Sequence, residues 1–183
     1  RQLETPAGYA GRRELDFSPF EAGIAELGEA RVRELDALLQ GASIVEIQRS
    51  FERGRLSSEE LVLFYLRRIQ KHDGGLRSVT ELDSDAIEVA RKLDAELAQA
   101  LAIHGRDRDS LTQCEPLWAA HPHKPVGQSA GMLLAGILVR LDRLDEGRAI
   151  LERLAKIGDD EFALIARATL ECLERIGEPA PPL

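Results

Sequence analysis

The sequence predicts a mainly α-helical protein: a helical layer or bundle of about seven helices, with at most one short strand and with helical hairpins near the C-terminal end. Three observations predict this class. Patterns that cap helix N-termini recur four times in the first half, apolar residues between them repeat with helical spacing, and glycines follow where helices should end. The 183 residues suffice to bury a core without disulfide or metal support.

The four predicted helix starts each place a serine or aspartate three residues before a glutamate. They are Ser18–Glu21, Ser43–Glu46, Ser57–Glu60 and Asp85–Glu88. In such a capping box the first side chain accepts a hydrogen bond from a free backbone N–H, and the glutamate accepts one in return. Predicted helix ends fall at Gly41, Gly54 and Gly74–Gly75, because glycine readily adopts the left-handed conformation that closes many helices.

Two apolar stripes in the first half have the spacing of a buried helix face. The first consists of Leu61, Val62, Tyr65, Leu66 and Ile69, and the second of Ala86, Ala90, Leu93, Leu97 and Leu101. Between them, residues 76–82 predict a short strand near Val79. A lone strand leaves its backbone hydrogen-bonding groups unpaired, so this segment would need a neighbour from the same chain or from another.

Prolines, glycines and changes in the helical pattern divide the chain into five parts. We expect a flexible arm over residues 1–16, an N-terminal helical region over 17–103, an irregular connection over 104–131, a helical hairpin region over 132–177 and a frayed tail over 178–183. The connection is predicted because prolines and glycines between His104 and Gly131 interrupt any helical period. The tail is predicted because its three prolines cannot continue a helix.

Composition and charge exclude several classes of function. A net charge of −8 argues against binding to nucleic acid, which needs clustered lysine and arginine. The apolar runs are too short for a membrane span, and Cys114 and Cys172 are too few for a disulfide framework. We expect a soluble chain without a cofactor, with a cytoplasmic location favoured. The sequence begins at Arg1 rather than at a methionine, so an exported mature chain is the alternative location.

Ser129 lies in a Gly-x-Ser-x-Gly pattern, Gly127–Gly131, which is typical of a hydrolase nucleophile elbow. That elbow needs a strand before the serine and, in α/β-hydrolases, a histidine that follows it along the chain. The preceding residues predict no strand, and no histidine follows Ser129. We therefore expect Ser129 to belong to the start of a helix.

Cys114, Glu115, His121 and His123 form the one concentration of possible zinc ligands. Zinc motifs pair their ligands at short fixed intervals, whereas only His121 and His123 are close here and Pro122 holds them in extended geometry. We expect an irregular connection anchored by Trp118, and assign no catalytic, cofactor-binding or metal-binding residue.

Residues 17–98 resemble the N-terminal region of amidase-signature enzymes. The resemblance rests on the order and spacing of Gly54–Leu61, Tyr65–Ile69, Leu76–Val79, Asp85–Ala86, Ala90 and Asp94. In that family this region is a helical layer with a first strand, packed against a large central sheet. The resemblance implies a related hydrolase origin, and it covers under half of the chain.

The catalytic part of the amidase pattern is missing. The family uses a Ser-Ser-Lys arrangement, with its lysine soon after a His-Gly-Ile-Pro-like segment and its serines in a Gly/Ser-rich stretch. Here Ile103–Gly105 resembles that segment, but Arg106–Asp109 follows it and no Gly/Ser-rich stretch exists. No catalytic residue of the family is therefore carried over.

Residues 141–155 resemble the turn and second helix of a tetratricopeptide repeat, although that family prefers glycine at Asp142 and alanine at Gly147. Such repeats need several copies to bury a continuous core. A plain helical hairpin is the favoured interpretation.

Two functional hypotheses follow. The first is a non-catalytic helical module that binds a protein partner or itself through the region around residues 76–82. The alternative is a fragment or accessory subunit of an amidase-signature hydrolase whose catalytic core lies elsewhere. A third, a hydrolase built on Ser129, is remote, because nucleophilic catalysis needs a positioned base.

Overall fold

The computed structural model describes residues 14–176. Within that range the chain forms nine α-helices and no strand. The helices are α1 (Glu21–Glu26), α2 (Glu29–Leu39), α3 (Ile44–Glu52), α4 (Ser58–Leu76), α5 (Ala86–Ile103), α6 (Asp107–Ala120), α7 (Pro125–Arg140), α8 (Leu144–Ile157) and α9 (Glu161–Ile176). The mainly helical class is confirmed. Residues 1–13 of the predicted arm and the whole predicted tail lie outside the described range.

Two helices more than expected are present, for separate reasons. Gly28 has a positive φ of 64° and divides the single helix expected between Ser18 and Gly41 into α1 and α2. The irregular connection predicted over 104–131 is wrong, because α6 fills its centre and α7 already begins at Pro125. Helix α6 tolerates the internal Pro116 because burial of its neighbours in the core outweighs the backbone hydrogen bond that a proline removes.

The capping boxes at Ser43 and Ser57 are confirmed, each with both reciprocal hydrogen bonds. The capping box predicted at Ser18 is wrong. The Ser18 amide and hydroxyl both donate to Asp16 Oδ1, and α1 begins only at Glu21. Asp85 precedes α5 as expected, but its side chain makes no capping hydrogen bond. The ends at Gly41 and Gly54 hold, both with positive φ.

Helix α4 passes through the end predicted at Gly74–Gly75 and reaches Leu76. It ends where Arg77 adopts the left-handed conformation, with φ of 51° and ψ of 41°. Asp73 stabilises the exit, because its carboxylate accepts from the Ser78 amide at 2.8 Å and from the Val79 amide at 3.1 Å. The segment after α4 is thus held as a turn, and the short strand expected near Val79 is absent from the described residues.

The main core lies in the second half of the molecule. Helices α5 to α9 follow one another as packed neighbours, and in addition α5 contacts α7 and α7 contacts α9. Their shared interior is a cluster of buried side chains, including Leu117, Trp118, Leu134, Ile137 and Leu151. Two smaller clusters join α1 and α2 to α4. Helix α4 connects these clusters to the main body through its contact with α5.

The two apolar stripes predicted in the first half are rotated relative to the observed buried faces. Helix α4 buries Leu63, Phe64 and Leu66, whereas Tyr65 of the predicted stripe is half exposed. Helix α5 buries Ala90, Asp94, Ala98 and Leu101, whereas Leu93 is half exposed. On α4 the difference arises because the helix is covered on two sides, by α1 and α2, rather than along a single stripe. Both helices leave a large apolar side chain of the predicted stripe half exposed.

Candidate functional site

The outer surface of α4 is an apolar groove with a polar rim that includes Arg68. It is formed by Tyr65, Arg68, Ile69, His72 and Leu76, and we call this set the outer α4 surface. Its volume is about 320 Å³. The side chains lie on one side of the helix because their spacing of three, four or seven residues repeats with the helical turn. Tyr65 is 50% exposed and Leu76 is 72% exposed, and the half-buried Ile69 lies between them on the same face.

The groove is rigidly framed. Tyr65 contacts Phe64 edge to face with ring centroids 5.4 Å apart, and the Arg68 guanidinium lies 5.6 Å from the Phe64 ring centroid. Arg68 also donates to Asp36 of α2 at 3.0 Å. At the far end Asp73 accepts from the Ser78 hydroxyl and amide, and these bonds hold the pKa of its carboxyl below its ordinary value. Hydrogen bonds therefore hold Arg68 at one end of the groove and Asp73 at the other.

A second concentration of polar groups lies where α4, α5 and the α6–α7 turn meet. Arg91 of α5 donates to Glu59 of α4 at 2.5 Å, and His121 Nε2 lies 3.7 Å from the other Glu59 oxygen. Asp94, only 2% exposed, accepts from the Ser58 and Glu59 amides at 2.7 and 3.2 Å. We call Glu59, Arg91, Asp94 and His121 the polar junction, in which Asp94 is buried and the other three are half-buried.

Burial sets the titration of the junction. It raises the pKa of Asp94 above its ordinary value, against the lowering effect of the two backbone hydrogen bonds. It lowers the pKa of His121 below 6.5, and the positive charge of Arg91 adds to that effect. The acidic and basic groups are satisfied largely by one another and by the first amides of α4. The arrangement joins α4 to α5 and to the α6–α7 turn.

Ser129 lies inside α7, in its second turn, and is exposed. The elbow geometry requires a sharp turn from a strand into a helix with the serine at its tip. Here the α6–α7 turn ends at Lys124, well before the serine. The structure therefore places Ser129 on a helix, in the wall of a groove between α5 and α7.

The four possible zinc ligands are not brought together. Cys114 is fully buried in the core, where burial raises the pKa of its thiol to about 11. Glu115 is exposed on the same helix, His121 belongs to the junction, and His123 is exposed in the α6–α7 turn. Within residues 14–176 no group of three or more His, Cys, Asp or Glu side chains could hold a metal ion. Trp118 packs on Gly131 as an anchor of α6.

The fold and its surfaces define an all-helical protein with apolar grooves. No protein-family model, curated protein or solved structure matches this chain. In the described range, none of the helices combines the length and the apolar character that a bilayer crossing requires.

Proposed function

We propose that this chain is a non-catalytic helical protein-interaction module, and that the outer α4 surface is its docking site. The observation that supports this proposal is the exposure of Tyr65 and Leu76 on one face of the longest helix. Leaving such side chains in water forgoes about 1.5–3 kcal/mol for each large apolar group that could be buried. Contiguous exposed apolar side chains inside a polar rim are typical of an interface.

The charges of the rim favour a partner segment in which apolar residues are flanked by carboxylates. Arg68 lines the groove, where it also pairs with Asp36, and Arg77 is exposed just beyond the end of the groove. The carboxylate of Asp73, the acidic residue of the lining, accepts from the Ser78 hydroxyl. These two arginines flank the groove on a chain with a net charge of −8. Complementary charge would select such a segment and speed its approach.

The alternative is an accessory subunit, or a part, of an amidase-signature hydrolase. It rests on the resemblance of residues 17–98, in which a central sheet covers this helical layer. Under that alternative the outer α4 surface would contact a catalytic core carried by another segment or chain. The same experiment separates the two, because it identifies what lies against Tyr65.

Site-specific photo-crosslinking tests the proposal. A benzoylphenylalanine at position 65 should cross-link one partner in cells, and mass spectrometry of the adduct should locate an acidic, partly apolar segment. Leu76→Lys should reduce the yield about tenfold, because it removes one buried leucine's share of the binding energy. Leu164→Lys on α9 is the matched control, since Leu164 is 57% exposed and lies on another element, and it should leave the yield unchanged.

Each other outcome overturns a definite part of the proposal. Adducts between two copies of this chain would replace the partner with self-association. An amidase core in the adduct would favour the accessory-subunit alternative. Absence of any adduct, or equal yields from Leu76→Lys and wild type, would refute docking at the outer α4 surface.

A further inference from the structure

A second groove lies between α5 and α7, away from the outer α4 surface. Its volume is about 590 Å³. The floor is apolar and made of small or medium side chains, Ala95, Val126 and Ala130. A groove of this size accommodates one face of a further helix.

The α5 wall of this groove carries charges of alternating sign. Glu88, Lys92 and Glu96 follow one another at four-residue intervals, so they form a row about 12 Å long that is parallel to the helix axis. Glu88 has a long contact of 3.8 Å with Arg91. Within the described part of the chain Lys92 and Glu96 have no ion-pair partner, although opposite charges four residues apart can pair on a helix.

The α7 wall, by contrast, is uncharged. Pro125, Ser129 and Leu133 line it, and Ser129 is the polar contribution. A ligand lying in the groove would therefore meet a charged row on one side and an apolar wall on the other. That asymmetry matches the two faces of an amphipathic helix.

An extended peptide fits the groove less well. The backbones of α5 and α7 satisfy their own hydrogen bonds internally, so neither helix offers the edge that strand addition needs. An extended ligand would bury its own backbone N–H and C=O groups against alanines and leave them unpaired. A helix satisfies those groups itself, and its residues at four-residue intervals have the same 6 Å spacing as the row on α5.

We propose that the α5–α7 groove binds an amphipathic helix of another protein. The ligand helix places an apolar face on Ala130 and Leu133 and carries two basic residues opposite Glu88 and Glu96. An acidic residue between them faces Lys92. This second docking site is independent of the outer α4 surface.

Two synthetic helical peptides test this pairing by fluorescence anisotropy. The matched peptide has a leucine face and a Lys-Glu-Lys row at four-residue intervals, and the inverted peptide has a Glu-Lys-Glu row on the same leucine face. The matched peptide should bind the wild-type chain about tenfold more tightly, as three exposed charge pairs of ordinary strength imply. The triple variant Glu88→Lys/Lys92→Glu/Glu96→Lys should reverse that preference.

Glu171→Lys on α9 is the control, because it changes the net charge by the same amount as the triple variant and lies on an exposed position of another helix. It should leave the preference for the matched peptide unchanged, as should Leu76→Lys. Circular dichroism confirms that each variant is folded. Equal affinity for the two peptides, binding of neither at about 1 mM, or a preference that the triple variant does not reverse would overturn the proposal.

Discussion

Two glycines of α7 have opposite surroundings, although they are only five residues apart. A Cβ at Gly131 would lie 2.7 Å from Cε3 of Trp118, closer than side-chain carbons approach. A Cβ at Gly136 would meet nothing within 4 Å. Gly131 is thus required by the close contact of α6 with α7, whereas Gly136 is an exposed helix position at which glycine only adds flexibility to the unfolded chain.

Gly131→Ala should destabilise the protein by about 1–3 kcal/mol, because the indole must move within a packed core. Gly136→Ala should stabilise it by about 0.5–1 kcal/mol, because alanine favours the helix and meets no obstacle. Urea unfolding followed by the fluorescence of Trp118, the only tryptophan, measures both changes. Equal effects of the two substitutions would contradict the contact between Gly131 and Trp118.

Within residues 14–176 two residues other than glycine adopt the left-handed backbone, and the sequence marks only one of them, Asp142, as part of a turn. Arg77 has φ of 51° after α4, and Asp142 has φ of 60° between α7 and α8. At Asp142 the tetratricopeptide pattern prefers glycine, which reaches this conformation without steric cost. At Gly147 that pattern prefers alanine, but a Cβ there would lie 3.1 Å from the Ala135 carbonyl oxygen. The tetratricopeptide resemblance stays a prediction.

At the scale of the element, the N-terminus of α4 is capped twice. The Ser57 hydroxyl accepts from the Glu60 amide, as the capping box predicts. The two preceding amides, of Ser58 and Glu59, donate to Asp94 of α5. The first three free N–H groups of the helix are therefore all satisfied, and the carboxylate charge also complements the positive end of the helix dipole.

Asp94→Ala should cost about 2 kcal/mol, because it leaves two partly buried amides, of Ser58 and Glu59, without their acceptor. Asp94→Asn should cost less, since its amide oxygen still accepts one of the two hydrogen bonds. Ser57→Ala removes only the local cap and should cost about 1 kcal/mol. Chemical unfolding measures the three variants, and an Asp94→Ala effect no greater than that of Ser57→Ala would show that the cap from α5 contributes little.

Local signals predicted much of what local contacts determine, and failed where a competing neighbour or the packing of other helices decides. The boxes at Ser43 and Ser57 succeed because cap and helix are adjacent, whereas at Ser18 the nearby Asp16 takes the amide and the hydroxyl. The sequence pattern did not predict α6, because Pro116 and the flanking glycines interrupt the helical spacing of its buried residues. The role of Asp94 had one sequence signal, its place in the amidase-like spacing.

The sequence predicted roughly where the candidate site lies, but not what kind of surface it is. The sequence pointed to the neighbourhood of residues 76–82 and to an unpaired strand edge. The structure instead places the exposed apolar groups on α4, because the helix continues to Leu76 and turns its other face to α1 and α2. Which side of a helix faces solvent depends on how many neighbours cover it, and a single sequence does not state that number.

At the scale of the whole molecule, the polar junction joins the N-terminal helices to the core of α5 to α9. Glu59 belongs to α4, Arg91 and Asp94 to α5, and His121 to the turn after α6. The Arg91 Nε is buried without a hydrogen-bond partner. A buried charged network that is not fully satisfied is sensitive to any added charge. Protonation of His121 adds such a charge at the point where three elements meet.

The free energy of unfolding should therefore fall as the pH is lowered through the His121 transition. The pKa of His121 is below 6.5 in the folded protein, because of burial and of the nearby Arg91 and Lys124 charges, so the unfolded chain takes up the proton first. The contribution of His121 to the free energy of unfolding has its full value above pH 6.5. It is lost progressively as the pH falls towards the lower pKa that His121 has in the folded protein. His121→Gln should abolish this pH-dependent contribution. The difference between wild type and variant separates it from the contributions of the carboxylates. Among these is Asp94, whose raised pKa acts in the opposite direction at lower pH.

Urea unfolding at intervals between about pH 5 and pH 8 measures the difference in the free energy of unfolding. A wild-type curve parallel to that of His121→Gln over this range would show that His121 titrates alike in the folded and unfolded chains, and that the junction does not sense its charge.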